Sequence, residues 1–290
     1  MHLFFDKKLI YDAYMNKKVT RFAPTPSGHL HFGNFCNLIF IYWFAKQNNA
    51  TLKLRVDDYD YNRCKDEFLE SLFLILDKLQ ISFDEGPSSV GELKLKYSQQ
   101  LKTELYYQRL MQVQSKYVCE CSRSQYKEHK FYPGTCRNKG LSYQNTPNQL
   151  IHQWRYKLSH NSLFLEDKIG DFVLWRKENI PSALWVSLCE DDEMGVTDII
   201  RGDDLLVSSQ AQSFLAINEG LNYPTLKKVI HHPLITDRGR KLSKSQNDLS
   251  ILDQLSKSDG VLNLTYQLCD SFGFERLSLD ELIETKFPFS

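Results

Sequence analysis

Three groups of residues in the sequence combine types and spacing that suit chemistry. His29 and His31 follow a loop rich in proline and glycine and precede a predicted helix. Lys241 and Lys244 lie in a basic, serine-containing loop near the other end of the chain. Three cysteines and a tyrosine gather between residues 119 and 136. Imidazole and ammonium groups suit phosphate oxygens, whereas thiolates suit a metal ion.

The two histidines lie where a strand gives way to a helix. Residues 19–23 predict a short strand, and residues 34–47 predict a helix. The N-terminus of a helix offers unpaired N–H groups and a partial positive charge, both of which favour phosphate. Gly28 and Gly33 allow the backbone to approach a ligand closely. The segment therefore predicts a phosphate site, with a purely structural loop as the alternative.

The cysteine group predicts a tetrahedral metal site. A Cys-x-Cys pair on an extended strand places both sulfur atoms on one face, and a turn at Pro133-Gly134 brings later residues round to join them. His129 is a rival for the fourth ligand, and three ordinary thiols in an insertion are the alternative to any metal. The proposed ligands are Cys119, Cys121, Tyr132 and Cys136.

The elements that must position these groups alternate between strand and helix. Such alternation is typical of an open parallel α/β sheet, in which ligands bind outside the carboxyl ends of the strands. Residues 117–140 interrupt the pattern with cysteines and charges, so we interpret them as an inserted module. The pattern predicts strands over 19–23, 51–56, 163–175, 183–188, 196–200 and 227–235, helices over 34–47, 67–79, 97–114 and 208–221, and two short helices after residue 245.

Composition excludes several classes of protein. The 36 basic residues balance the 36 acidic ones, which excludes a uniformly basic nucleic-acid-binding protein. Hydrophobic residues make up 42% of the chain, so general disorder is excluded. The longest apolar run, residues 38–45, is too short to span a bilayer, and residues 1–8 lack the order of a signal peptide. We therefore expect a cytoplasmic protein, whose seven cysteines favour metal binding over disulfides.

Four blocks of sequence, in order, resemble the class I aminoacyl-tRNA synthetases in their glutamyl and glutaminyl form. The first signature of that family is similar to residues 21–28 (RFAPTPSG) with 30–34 (LHFGN), and the second to residues 241–245 (KLSKS). Two further blocks of the family are similar to residues 55–60 (RVDDYD) and 201–204 (RGDD). The resemblance implies a Rossmann-like open parallel sheet and a reaction that joins an amino acid to ATP, with Mg²⁺, to form an adenylate and pyrophosphate.

The resemblance also implies roles for individual residues. The catalytic groups would be His31, Lys241 and Lys244, on either side of the triphosphate. The implied ATP-binding residues are His29, His31, Gly33, Asn34, Lys241 and Lys244. The implied glutamate-binding residues are Arg21, Ala23, Thr25, Asp57, Ala183 and Arg201. We assign Arg21 to the substrate's side chain, Arg201 to its α-carboxylate side and Asp57 to its ammonium, with pairing of Asp57 to a neighbouring arginine as the alternative.

Two positions depart from the glutamyl pattern. Asp57 occupies the place of a glutamate and is instead like the glutaminyl enzymes. The family also has a tyrosine that helps to bind the amino acid, and by spacing its place falls on Ala183, with Leu184 next. Another residue or a water molecule replaces the lost hydroxyl, or the substrate has changed. Trp185 is close, but the alternation of a strand would not direct it into the pocket.

The cysteine group resembles the zinc site of one subgroup, the glutamyl-Q tRNA(Asp) synthetases, and so implies a structural zinc. Enzymes of that subgroup activate glutamate without tRNA and transfer it to queuosine in the anticodon of tRNA(Asp). The implied partners are ATP, glutamate and the anticodon stem-loop of tRNA(Asp), and we expect a monomer. Two alternatives are an adenylate-forming ligase with a changed amino acid or a non-tRNA acceptor, and an inactive nucleotide- or RNA-binding module.

The expected domain organisation follows from the same blocks. Residues 1–18 are an N-terminal extension, and residues 19–245 form the catalytic domain with a zinc module inserted at about 111–165. Residues 246–290 form a short helical tail, too short for an anticodon-binding domain. We therefore expect a free-standing catalytic core.

Overall fold

The computed structural model of the chain describes residues 17–141, 152–158, 165, 167–221, 228–234, 236–237, 240–241 and 251–289. The strands are β1 (Val19–Phe22), β2 (Thr51–Leu54), β3 (Lys116–Cys119), β4 (Gln153–Tyr156), β5 (Val173–Trp175), β6 (Ile199–Gly202), β7 (Val229–His232), β8 (Thr236–Asp237) and β9 (Arg240–Lys241). The helices are α1 (Phe32–Gln47), α2 (Asp66–Leu79), α3 (Thr103–Gln112), α4 (Ala183–Glu193), α5 (Leu206–Glu219), α6 (Ile251–Leu255), α7 (Gly260–Phe272) and α8 (Leu279–Glu284), and short helical turns cover Val90–Glu92, Leu93–Tyr97 and Gln99–Lys102.

Two pairs of parallel strands form the frame of the molecule. β1 pairs with β2, and β6 pairs with β7. The pairs adjoin, because the backbone N–H groups of Thr197 and Asp198 both donate to the carbonyl oxygen of Val19. The carboxyl ends of parallel strands lie at one edge, so the segments that follow β1, β2, β6 and β7 are brought together there.

The inserted module has a different architecture. β3, β4 and β5 form an antiparallel sheet in the order β3-β4-β5. This sheet packs against α3, α4 and α5, and four large buried side chains from the strands and helices form the core between them. These buried side chains are Tyr106, Trp154, Trp175 and Trp185.

A second core surrounds α1, which is apolar on nearly every face and is covered by β1, β2, α2 and the C-terminal helices. α2 shows the opposite design: its buried positions, among them Leu69, Leu72 and Leu76, recur at helical spacing on one face. This one-sided patterning is why α2 could be predicted from the sequence.

One predicted strand is wrong. Residues 183–188 lie in helix α4, where the Ser182 hydroxyl caps the N-terminus by accepting from the Trp185 N–H at 3.3 Å. α4 is buried on most faces, and a short continuous apolar run does not distinguish a buried strand from a buried helix. The tail also contains three helices rather than two, and the helix predicted from residue 97 begins at Thr103.

Candidate functional site

The first signature segment surrounds the N-terminus of α1. The backbone N–H of His31 donates to Oδ1 of Asn34 at 3.0 Å, which fixes the first turn of the helix. The His31 ring lies over Gly33, where an added Cβ would come within 3.0 Å of the imidazole Cε1. Glycine at this position therefore gives the exposed imidazole its place beside the free N–H groups of the helix.

The other loop residues of this segment take different positions. The His29 ring packs edge-on against Phe68 of α2, with the ring centroids 5.0 Å apart. Ala23 is half-buried and Thr25 is exposed in the loop after β1. His31, Gly33 and Asn34 therefore lie together at the N-terminus of α1, whereas the His29 side chain contacts α2.

A buried carboxylate, Asp191 of α4, gathers arginines from three strands. Its Oδ1 accepts from Arg21 Nε at 2.7 Å and from Arg55 Nη1 at 2.6 Å. Its Oδ2 lies 4.0 Å from Nη2 of Arg201. Asp191 is fully buried, and the three arginine side chains are each less than a tenth exposed.

These contacts determine the charge states of Asp191 and Arg55. Burial alone would raise the pKa of Asp191, but Arg21, Arg55 and Arg201 hold it below its usual range. Burial alone would lower the pKa of Arg55, but Asp57 and Asp191 raise it above its usual value. Asp191 and Arg55 are therefore held in their charged forms in a place protected from solvent.

Asp57 is paired with a neighbouring arginine, as the sequence analysis allowed. Its Oδ1 accepts from Arg55 Nε at 2.7 Å and from Gln99 Nε2 at 2.8 Å. Asp58 turns away and accepts from the Ser98 hydroxyl at 2.6 Å and the Gln99 backbone N–H at 2.7 Å. The sequence analysis missed Gln99, because only the fold brings residues 98 and 99 to the end of β2.

Arg201 has its own group of polar neighbours on α5 and β7. Its Nη1 donates to Gln212 Oε1 at 3.0 Å and contacts the Ser209 hydroxyl at 3.3 Å. His231 lies beside the same hydroxyl, with Nε2 2.9 Å from Ser209 Oγ. The sequence analysis missed these residues, because α5 carries as many polar as apolar residues and nothing in the sequence singles out Ser209 and Gln212.

Helix α4 contributes one face to this cluster. Ser187 accepts from Arg55 Nη2 at 3.2 Å. Leu184 lies three residues before Ser187 and seven before Asp191, so all three share a face. Ala183 is exposed in the first turn. The assignment of Ala183 to the pocket by spacing stays a prediction, because Ala183 lies four residues before Ser187 on the same side of the helix, and Leu184 is a second candidate.

The lysine-containing loop follows β7 as a small hairpin. β8 pairs antiparallel with β9, with Thr236 opposite Lys241. Only the backbone of Lys241 is described, and Lys244 lies outside the described residues.

The four proposed metal ligands converge in the inserted module. The Tyr132 hydroxyl lies 3.3 Å from Cys119 Sγ and 3.7 Å from Cys121 Sγ, and Cys121 Sγ is 3.5 Å from Cys136 Sγ. Zinc bonds of about 2.3 Å to sulfur and 2.0 Å to oxygen give tetrahedral edges of about 3.5 to 3.8 Å. The donor atoms therefore fit a tetrahedral zinc ion, and the rival ligand His129 is exposed.

The chemistry of the donors also suits a metal. Burial would raise the pKa of the Cys119 thiol, but polar contacts with Tyr132, Arg155 and Gln153 lower it to about 7. A thiolate is the form that binds metal. The three sulfur ligand atoms all lie within 4.8 Å of one another.

The sequence matches the family described as tRNA synthetases class I (E and Q), catalytic domain, over residues 17–162 and 144–287. It is 30% identical over 275 residues to the glutamate–tRNA ligase of Sulfurihydrogenibium sp. (strain YO3AOP1), covering 85% of this chain and 56% of the relative. It is 31% identical to the glutamate–tRNA ligase of Aquifex aeolicus, covering 82% of this chain and 53% of the relative. The chain thus spans a little more than half the length of these relatives.

Solved structures share the fold. A glutamate-tRNA synthetase from Elizabethkingia anophelis superposes with a TM-score of 0.72 at 20% identity, covering 94% of this chain and 66% of that chain. A Mycobacterium tuberculosis methionyl-tRNA synthetase in complex with methionyl-adenylate gives 0.58 at 13% identity, covering 87% of this chain and 64% of that chain. The α/β fold is therefore that of a class I synthetase catalytic domain. Within the described residues, no helix is both long and apolar enough to cross a membrane.

Proposed function

The chain belongs to the family of class I tRNA synthetases for glutamate and glutamine, and we propose that it joins glutamate to ATP to form glutamyl-adenylate and pyrophosphate. The observation that carries this proposal is the arginine cluster around Asp191. Three guanidinium groups converge there on one carboxylate, and guanidinium groups are well suited to bind further carboxylates. Glutamate offers two carboxylates to such a cluster, whereas glutamine offers only one.

The chain's own residues supply positioning and charge in this reaction. The end of α1 and the His31 imidazole receive the triphosphate, and Lys241 and Lys244, from the basic segment after β7, supply positive charge to it. Mg²⁺ accompanies ATP and neutralises phosphate charge. A carboxylate oxygen of glutamate attacks the α-phosphorus in line with the departing pyrophosphate, a step that depends on orientation more than on a base.

The cysteine cluster supports two narrower parts of the proposal. Cys119, Cys121, Tyr132 and Cys136 hold a structural zinc, and the same set resembles the glutamyl-Q subgroup. We therefore propose that glutamate is activated without tRNA and transferred to queuosine in the anticodon stem-loop of tRNA(Asp), by a monomer in the cytoplasm.

A second candidate is a ligase that forms an adenylate of another amino acid. Two observations favour it: Asp57 is held by Arg55, and Ala183, with Leu184 next to it, stands where the family's tyrosine is expected.

The deciding experiment is exchange of labelled pyrophosphate into ATP without tRNA, for each of the twenty amino acids. We expect exchange with glutamate. Exchange with a different amino acid would favour the second candidate, and exchange with none would indicate an inactive module. Charging of tRNA(Asp) with and without queuosine then identifies the acceptor.

Zinc is tested on the purified protein. We expect about one zinc per chain and thiols that react only after a chelator is added. A metal-free protein with three freely reactive thiols would contradict the zinc site.

A further inference from the structure

Arg155 of β4 is buried beside the cysteine–tyrosine cluster. The residue is 3% exposed, and its guanidinium carbon lies 3.8 Å from the centroid of the Tyr132 ring. Nη1 donates to the backbone carbonyl of Asp171 at 2.7 Å, and Nη2 donates to the Tyr126 hydroxyl at 3.0 Å. Both of these acceptors are uncharged, and Arg155 also makes a polar contact with Cys119, one of the proposed metal ligands. Within the described ranges Arg155 forms no ion pair with a carboxylate.

The side-chain carboxylate of Asp171, the residue whose backbone carbonyl Arg155 contacts, is already hydrogen-bonded to other side chains. The Asp171 side chain accepts from Arg137 Nε at 2.8 Å and Nη2 at 2.6 Å, and also from the Tyr117 hydroxyl at 2.5 Å. A buried cation without an anion is costly, so the charge of Arg155 calls for a negative partner. The groups next to it are the proposed ligands of the metal.

The charge of a loaded metal centre supplies that partner. Three thiolates and a phenolate around Zn²⁺ carry a formal charge of −2 in a site whose four ligands are all buried. A guanidinium over an aromatic ring is attracted to the ring's negative face, and the attraction grows when the phenol becomes a phenolate.

We propose that Arg155 is the counter-cation of this metal centre and positions Tyr132 as its fourth ligand. The inference rests on the zinc-binding part of the proposed function. It predicts that most of the benefit of Arg155 to metal binding passes through the Tyr132 oxygen, and the remainder through Cys119.

The experiment measures zinc affinity by competition with a chromophoric chelator. We expect Arg155→Met to weaken zinc binding about 10- to 100-fold, the usual effect of losing a partner behind a metal ligand. Arg123→Met, which removes an exposed arginine of the same module, is the matched control and should leave the affinity unchanged.

A double-mutant cycle with Tyr132→Phe tests the route of the effect. Without the phenol oxygen, the loss of zinc affinity caused by Arg155→Met should be several times smaller than in the unmodified background, because only the contact with Cys119 remains. An equal loss in both backgrounds would overturn the proposal, because Arg155 would then act through general packing. Unchanged affinity in Arg155→Met would overturn it as well.

Two further outcomes distinguish a failure of the role of Arg155 from a failure of zinc binding itself. If the unmodified protein binds no zinc, the metal centre itself fails, and with it the role of Arg155. If Arg155→Met does not fold, by circular dichroism, Arg155→Lys takes its place. The retained charge should then keep zinc affinity within about tenfold of the unmodified protein, and a larger loss would contradict a role for the charge.

Discussion

Asp191 holds guanidinium groups that originate in or directly after three separate strands. The family resemblance indicated Arg21 and Arg201 from their blocks, and both prove to lie in one cluster. The partner that joins them could not be predicted, because the contact between Arg21 and Asp191 spans 170 positions of sequence. Local patterns report on turns of helix and alternation of strand, whereas this pairing depends on where α4 packs.

The first prediction concerns this buried network. Asp191→Asn should lower the free energy of unfolding by about 3–5 kcal/mol, because it leaves buried arginines without their anion. Urea denaturation measures the loss. The control is Asp66→Asn, which breaks an exposed pair with Lys94 and should cost at most about 1 kcal/mol. Equal losses in the two variants would show that the Asp191 network contributes no more than a surface pair.

The same network gives a pH dependence. The arginines hold the pKa of Asp191 below its value of about 3.9 in an unfolded chain. A depressed pKa stabilises the fold above pH of about 4, and this contribution is lost as the pH falls through the lower folded value. Urea unfolding between pH 6 and pH 2 should therefore show a shallower acid loss in Asp191→Asn than in the unmodified protein.

The second prediction tests the role assigned to Lys244. Lys244→Ala should slow pyrophosphate exchange about 10²–10³-fold, the effect of losing one charge-stabilising donor, and leave glutamate binding nearly unchanged. Lys257→Ala, an exposed lysine near α7, should leave exchange unchanged. A normal rate in Lys244→Ala would mean that the loop is only a solvated basic surface.

Helix α4 replaces a strand that the sequence predicted, and it changes which side chains can face the amino-acid pocket. A strand would have directed alternate residues inward, but a helix places Leu184, Ser187 and Asp191 on one face. α2 could be predicted because its charges and leucines alternate with helical spacing. α4 could not, because it is covered on most sides and lacks a polar face.

The third prediction follows from this geometry. Leu184→Tyr should tighten glutamate binding about 10- to 100-fold, since one hydrogen bond to a charged group contributes roughly 1.5–3 kcal/mol. Ala183→Tyr is the comparison variant at the neighbouring position to which spacing assigns the family's tyrosine, and the variant that binds glutamate more tightly identifies the position that faces the substrate. Calorimetric titration with glutamate distinguishes them.

The opposite result would also be informative. If Leu184→Tyr lowers exchange with every amino acid, the ring fills space that a different substrate needs, and the assignment of glutamate is wrong. If Ala183→Tyr tightens binding and Leu184→Tyr does not, the face of α4 inferred here is wrong.

At the scale of the whole molecule, the C-terminal tail joins the first and last parts of the parallel frame. The Trp43 Nε1–H of α1 donates to the carbonyl of Thr285 at 2.8 Å. The Phe289 ring lies 4.9 Å from the Phe40 ring of α1 and 6.2 Å from the His232 ring at the end of β7. The sequence predicted helices in the tail but not this packing, because aromatic residues in a short coil have no periodicity to indicate a partner.

The last prediction concerns these rings. A variant of the chain that ends at Thr285 should lose about 2–4 kcal/mol of unfolding free energy, because it removes the half-buried Phe287 and Phe289 and with them their edge-on contacts with α1. The full-length double variant Phe287→Ala, Phe289→Ala should lose a similar amount. Lys286→Ala, at an exposed position between them and the end of α8, should stay within about 0.5 kcal/mol of the unmodified protein. Urea unfolding that is the same in all four proteins would show that the rings contribute nothing to the core around α1, and that α7 and α8 alone cover it.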